Sequence, residues 1–345
     1  MRRLLAASLV ALVAVCVPAK AAPASGAVTH GSFSVKGGLT RTYLLYTPAR
    51  LPKGAPLVMF LHGCNETAEQ GMQASHWNAL ADRYRFAVVY PQQVVSSNSS
   101  APVSDGNGVG CWNWFLTEDQ DRGGPEPAVL TGIVASVGSA LRSDPRRVYV
   151  EGVSAGAAMS VVLAAAYPDV FAAAGSIAGC TYRTCSDGSG ELAYRAMGAR
   201  ARVVPMIVEN GTADVLNPAP QSADLVQSWL GVDDLVDDGA ANGSVSRQPA
   251  SSTTSSDVGT PSPGSGDPCL HNSSFGCLGG VLGLKAYPVT VQRYAVGKDP
   301  DALELWLVHG MAHAHPDAPG DGPYTDPLGP DITAASWAFF AKHHR

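Results

Sequence analysis

The stretch Val148-Tyr149-Val150-Glu151-Gly152-Val153-Ser154-Ala155-Gly156 decides the fold class. It begins as a short β-branched run and ends where an Ala-rich segment, 155–167, takes up helical spacing. A serine at the joint, with glycine two residues to either side, predicts a sharp strand-to-helix turn, because a Cβ at either glycine would collide with neighbouring backbone. Such a turn exposes the Ser154 hydroxyl at the end of the strand and aims the first N–H groups of the helix at the space beside it. G-x-S-x-G alone is a weak pattern, and glycine-serine turns without chemistry are common. Its setting between strand and helix makes Ser154 a candidate nucleophile and the Ala155 N–H a candidate oxyanion donor.

Outward from this turn, short apolar runs alternate with helical stretches. Strands are expected at 42–46, 57–61, 86–90, 148–151, 173–177, 203–209 and 304–308, and helices at 77–84, 129–142, 155–167, 222–230 and 332–343. This alternation predicts an α/β fold with a mostly parallel central sheet and helices on both faces. The stretch 238–268 breaks the pattern: eight Ser, five Gly, four Pro and three Thr leave too little apolar surface for it to order itself. A strand and a histidine-bearing loop follow it, so it reads as a surface insertion within one domain spanning 22–345. The acidic run Asp233, Asp234, Asp237 and Asp238 beside it reads as solvated.

A nucleophilic serine needs a base, and the base needs a group to orient it. Asp214 lies in Asn210-Gly211-Thr212-Ala213-Asp214 after one expected strand, and His313 in His309-Gly310-Met311-Ala312-His313 after another. Both are strand-end loops able to face the Ser154 turn, although an Asx-turn would account for Asp214 and a plain surface loop for His313. His309 sits at the very end of its strand, His315 lies just beyond, and His343 and His344 belong to the C-terminal tail. A second oxyanion donor is expected from Leu61-His62-Gly63-Cys64, where an early apolar strand ends: the N–H of Cys64 would pair with that of Ala155. His62 reads as structural.

The chain carries 23 basic and 29 acidic residues, a formal charge of -6, and no Lys/Arg cluster of the kind a phosphate backbone requires. Nucleic acid is therefore not an expected partner, and nothing implies an obligate protein partner. Met1-Arg2-Arg3, the apolar run 4–17 and Ala19-Lys20-Ala21 read as a signal peptide over 1–21, with no membrane-spanning segment, which implies secretion. The six cysteines beyond it favour disulfides in an oxidising compartment. Six cysteines permit 15 pairings; proximity favours Cys180–Cys185 and Cys269–Cys277, which leaves Cys64–Cys111. The spacings lack paired metal-ligand motifs, so no metal site is expected.

Seven pieces in this order resemble the extracellular polyhydroxybutyrate depolymerase family of esterases, which is related to the feruloyl and acetylxylan esterases of carbohydrate esterase family 1. They are Leu61-His62-Gly63-Cys64, Val88-Val89-Tyr90-Pro91-Gln92-Gln93, Cys111-Trp112-Asn113-Trp114-Phe115, Gly152-Val153-Ser154-Ala155-Gly156-Ala157-Ala158-Met159, Tyr167-Pro168-Asp169-Val170-Phe171, Gly211-Thr212-Ala213-Asp214 and Gly310-Met311-Ala312-His313. The resemblance implies an α/β-hydrolase fold, a Ser154–His313–Asp214 triad, ester substrates and no cofactor. It also implies that Trp112 and Trp114 shape the acyl site; without it, their cluster reads equally as core. The family often has Trp where His315 stands, so His315 is expected at a differently shaped pocket rim.

The preferred expectation is thus a secreted serine esterase acting on a polyhydroxybutyrate-type polyester or its oligomers. The alternatives are a feruloyl or acetylxylan esterase acting on plant polysaccharide, a peptidase on the same fold, and a noncatalytic secreted binding protein.

Overall fold

The computed structural model describes residues 26–36, 38–96, 106–255, 286–317 and 324–345. The strands are β1 (Ala27–Ser34), β2 (Thr40–Thr47), β3 (Leu57–Leu61), β4 (Ala87–Pro91), β5 (Val148–Val153), β6 (Ala173–Ile177), β7 (Met206–Gly211), β8 (Ser251–Ser255), β9 (Val289–Val296) and β10 (Asp299–Val308), with a two-residue pair β11 (His315–Pro316) and β12 (Thr325–Asp326). The first ten form one sheet in the order β1-β2-β4-β3-β5-β6-β7-β10-β9-β8. The six strands from β4 to β10 run parallel, and every pairing outside them (β1–β2, β2–β4, β10–β9 and β9–β8) is antiparallel. Every residue of β3, β4, β5, β6 and β7 is buried, which is why these strands read as continuous runs rather than alternations.

The helices are α1 (Ala68–Ala74), α2 (Trp77–Tyr84), α3 (Pro125–Leu141), α4 (Ala155–Ala166), the turn α5 (Tyr182–Cys185), α6 (Glu191–Met197), α7 (Ala219–Asp238) and α8 (Ile332–Phe340). On one face of the sheet α3, α4, α6 and α7 bury Val129, Met159, Ala193 and Trp229 against Leu57, Met59, Val150 and Val208. On the other, α1, α2 and α8 bury Ala68, Trp77 and Phe340 against Val58, Phe60, Tyr149 and Ile207. Helix α4 is buried along its whole length, as its apolar sequence requires.

Part of the Ser/Gly/Pro-rich stretch is ordered, contrary to the sequence expectation. Its residues 251–255 form β8, paired antiparallel with β9, and Asp234 accepts hydrogen bonds from Gly243 N, Ser244 Oγ and Val245 N at 2.9 to 3.0 Å. Backbone pairing and a carboxylate anchor supply the order that apolar burial does not. Asp233 and Asp234 are accordingly buried rather than solvated. Residues 256–268 of the insertion, Cys269 and Cys277 beyond it, and the signal segment 1–21 lie outside the described residues.

Candidate active site

Ser154 joins β5 to α4 with φ 57° and ψ −118°, a backbone conformation that is costly for a residue with a side chain. The neighbouring glycines explain how the turn is reached. A Cβ on Gly152 would lie 2.4 Å from the Gly156 carbonyl, and one on Gly156 would lie 2.1 Å from Leu61 O. The chain is thereby pressed against β3, and Ser154 N–H donates to Ile177 O of β6 at 2.8 Å.

Asp214 and His313 stand on loops after β7 and β10, which are adjacent in the sheet. Three bonds join these loops: Thr212 N to Val308 O and Ala213 N to Met311 O, both 2.9 Å, and Gly310 N to Thr212 Oγ1, 2.9 Å. His313 Nδ1 meets Asp214 Oδ2 at 2.7 Å. The other oxygen, Asp214 Oδ1, accepts from Leu216 N and Asn217 N, both at 2.8 Å. Asp214 is thus an Asx-turn acceptor and the histidine's partner at once, so its carboxylate cannot swing away from the imidazole. Ser154 directly follows β5 and Asp214 follows β7, and the two strands are separated in the sheet by β6 alone, so their axes lie roughly 10 Å apart. Among the described residues no hydrogen bond joins Ser154 Oγ to His313, a contact that commonly tightens only when substrate binds.

The loop after β3 is clamped at each peptide. Gly63 N donates to Glu66 Oε2 at 2.6 Å, His62 Nδ1 bonds Gly63 O at 2.7 Å, and Asn65 N donates to Val109 O at 2.7 Å. Between them the Cys64 N–H has no protein acceptor among the described residues. Cys64 is disulfide-bonded to Cys111, and a second disulfide joins Cys180 to Cys185. His62 Nε2 accepts from Gln93 N at 3.1 Å, so the ring proton sits on Nδ1, and burial pushes its pKa down to about 4. His62 is a neutral strut.

Trp112 does not line an open pocket. It is fully buried, donates from Nε1 to His62 O at 3.0 Å and packs against the His62 ring. Its neighbour Asn113 donates its backbone N–H to Glu126 Oε2 at 2.7 Å, and Glu126 is in turn paired with Arg41. The tryptophan can reach a substrate only through the loop it supports. Trp114 is half-buried, edge-on to the exposed Phe115. His315 is drawn inward rather than onto the rim, because β11 pairs with β12 and sets its ring against Phe60. Burial pushes its pKa down to about 3. The ring that does meet His313 is Tyr324, edge-on at a centroid distance of 5.9 Å; no sequence signal marks it. Glu66 was equally unmarked, although an acid three residues after a turn glycine is an available hint.

The family described as esterase PHB depolymerase matches residues 41–247. Poly(3-hydroxyalkanoate) depolymerase C of Paucimonas lemoignei is 44% identical over 138 residues, 40% of this chain and 31% of that protein. Probable acetylxylan esterase A of Aspergillus fumigatus is 31% identical over 151 residues, 42% of this chain and 38% of that protein. The chain spans less than half the length of the curated relatives it matches. Among solved structures, an acetyl xylan esterase from Aspergillus awamori superposes with a TM-score of 0.58 at 20% identity, covering 83% of this chain and 94% of that one. The likeness establishes the α/β-hydrolase fold.

Proposed function

The chain belongs to the esterase PHB depolymerase family, and on that premise we propose that it is a secreted serine esterase that hydrolyses carboxylic esters through Ser154, His313 and Asp214. The observation that carries this reading is the 2.7 Å His313–Asp214 hydrogen bond on loops of the same sheet end as the strained serine turn. In this scheme His313 removes the Ser154 proton as Oγ attacks the ester carbonyl, and the oxyanion rests on the N–H groups of Cys64 and Ala155. His313 then passes the proton to the departing alcohol. Water, deprotonated by the same imidazole, releases the acid and regenerates the serine. Asp214 holds the imidazole tautomer throughout.

Two features favour an apolar polyester over a polysaccharide ester. Val215 and Leu216, directly after Asp214, are 85% and 65% exposed, and Tyr324 beside His313 is 43% exposed. A sugar chain offers these side chains little to bury, whereas a polyhydroxybutyrate-type chain presents methyl and methylene groups to them. The resemblance to a poly(3-hydroxyalkanoate) depolymerase supports the same choice. The two disulfides and the Met1–Ala21 pattern support export, and the single catalytic domain over 22–345 with its insertion is part of the same proposal.

Ser154→Ala should reduce turnover of p-nitrophenyl butyrate by about 10⁴-fold or more while the thermal melt is unchanged. A variant keeping the wild-type rate overturns the mechanism. Release of 3-hydroxybutyrate from amorphous polymer should exceed ferulate or acetate release from plant-wall xylan, and the reverse ranking overturns the substrate assignment.

A further inference from the structure

The loop that carries Cys64 also carries a carboxyl that the acyl-transfer scheme does not use. Glu66 is 5% exposed. A Cβ placed on Gly63 would lie 3.0 Å from Glu66 Oε2 and 3.5 Å from Ser154 Cβ. Carboxyl and serine therefore flank the same glycine, both beside the space a Gly63 side chain would take.

What the carboxyl does there follows from its partner. Glu66 Oε2 accepts from Gly63 N while His62 Nδ1 donates to Gly63 O. Gly63 is gripped at both ends, and the peptide plane that begins at its carbonyl ends at the Cys64 N–H. Asn65 N, on the far side, is committed to Val109 O. The direction in which the Cys64 N–H points is thus set by bonds on both of its neighbours. A donor contributes to catalysis only if it is already aimed where charge will develop, since turning a peptide during the reaction would consume the gain.

Resting on the serine-esterase reading above, we propose that Glu66 is a positioning residue for the oxyanion site: its carboxyl clamps Gly63 N–H so that the Gly63–Cys64 peptide presents the Cys64 N–H to the tetrahedral intermediate. It works as a hydrogen-bond acceptor and not through its charge. A full negative charge this near the developing oxyanion would oppose it, and burial pushes the Glu66 carboxyl up, towards the neutral form, against the pull of the Gly63 N–H. An amide oxygen in the same place would do the same work.

The test uses the full-length, disulfide-intact protein and the variants Glu66→Gln, Glu66→Ala and Glu66→Asp. With p-nitrophenyl butyrate, Glu66→Gln should retain kcat within about threefold of wild type. Glu66→Ala should lose about 100-fold in kcat, with KM within about twofold, and should lose a comparable factor in affinity for phenylboronic acid, whose serine adduct is tetrahedral. Should Glu66→Ala fail to fold, Glu66→Asp carries the test: it keeps a carboxyl but withdraws the oxygen from Gly63 N, and must fall well below Glu66→Gln. Glu66→Gln as impaired as Glu66→Ala, both folded, overturns the proposal because the charge is then required, and wild-type kcat in Glu66→Ala overturns it directly. Ser154→Ala separates the two levels: if it is inactive while Glu66→Ala is fully active, only the role of Glu66 fails, whereas an active Ser154→Ala removes the serine reading itself.

Discussion

On the Ala155 side of the proposed oxyanion site, the donor is placed by backbone packing within the turn and against one neighbouring strand: Gly152 against the Gly156 carbonyl, Gly156 against Leu61 O. On the Cys64 side it is placed by a polar network, part local and part from distant stretches: Glu66 and His62 on Gly63 within the loop, and from afar Cys111 through its disulfide, Trp112 under His62 O, and the Gln93 backbone N–H on His62 Nε2. Beneath these sits Glu126, which accepts from Asn113 N, Gln93 Nε2 and Arg41. The first half is a steric device that cannot be adjusted. The second is a polar network in which each member holds the next, so damage to it should be graded.

The largest effect is therefore expected from Gly156→Ala. Its new Cβ would meet Leu61 O at 2.1 Å and Leu61 C at 2.6 Å, both backbone atoms of a fully buried strand. No flexible side-chain end is available to yield, and a loss of more than about 4 kcal/mol, or no folded protein at all, should follow in urea denaturation. A Gly156→Ala protein of near wild-type stability would break the distinction between the two halves. Glu126→Ala comes next. The Arg41–Glu126 pair is almost wholly buried at 3.0 Å, and burial pushes the carboxyl up to about 7 despite the guanidinium. Removing it leaves the Arg41 charge without its carboxylate at a cost of about 3–5 kcal/mol. Because Glu126 also holds the Asn113 backbone, kcat should fall alongside stability, and an unaltered kcat in folded Glu126→Ala would show that the network does not reach Cys64.

The same distinction governs what could be read from the sequence. The strands at 57–61 and 173–177 and the helix at 77–84 stand where their apolar spacing puts them, since burial on both faces or one leaves a local pattern. Asp214 and His313, 99 residues apart, meet because each ends a strand whose neighbour is fixed by sheet order. Strand β8 was invisible: Ser251-Ser252-Thr253-Thr254-Ser255 buries nothing, and its order comes from pairing with β9. Glu126 was equally opaque, because an acid at the start of a helix is ordinary and its partner Arg41 lies 85 residues away. Trp112 and His315 were placed at the substrate by resemblance, whereas their surroundings put both inside the protein. Motifs mark which residues travel together but not whether a ring faces solvent or core.

The smallest effect sharpens the comparison by pH. The turn from Gly152 to Gly156 contains no group that titrates between pH 4 and 8, whereas the Cys64 side depends on a neutral His62 whose Nε2 must accept from Gln93 N. Burial lowers that imidazole to about 4 in the folded protein, against about 6.5 in the unfolded chain. The unfolded state therefore binds the proton more readily as pH falls below 6.5, and the contribution of neutral His62, complete above that pH, is lost progressively towards 4. Other groups titrate in the same window, His315 in the same direction and the raised Glu151 and Asp317 in the opposite one, so the quantity to measure is the difference between wild type and His62→Asn. Relative to the variant, wild type should lose about 2 kcal/mol of unfolding free energy between pH 7 and pH 5. A constant gap across that range would mean that the imidazole does not carry the acid sensitivity of the Cys64 side, leaving it to the buried carboxyls Glu66 and Glu126.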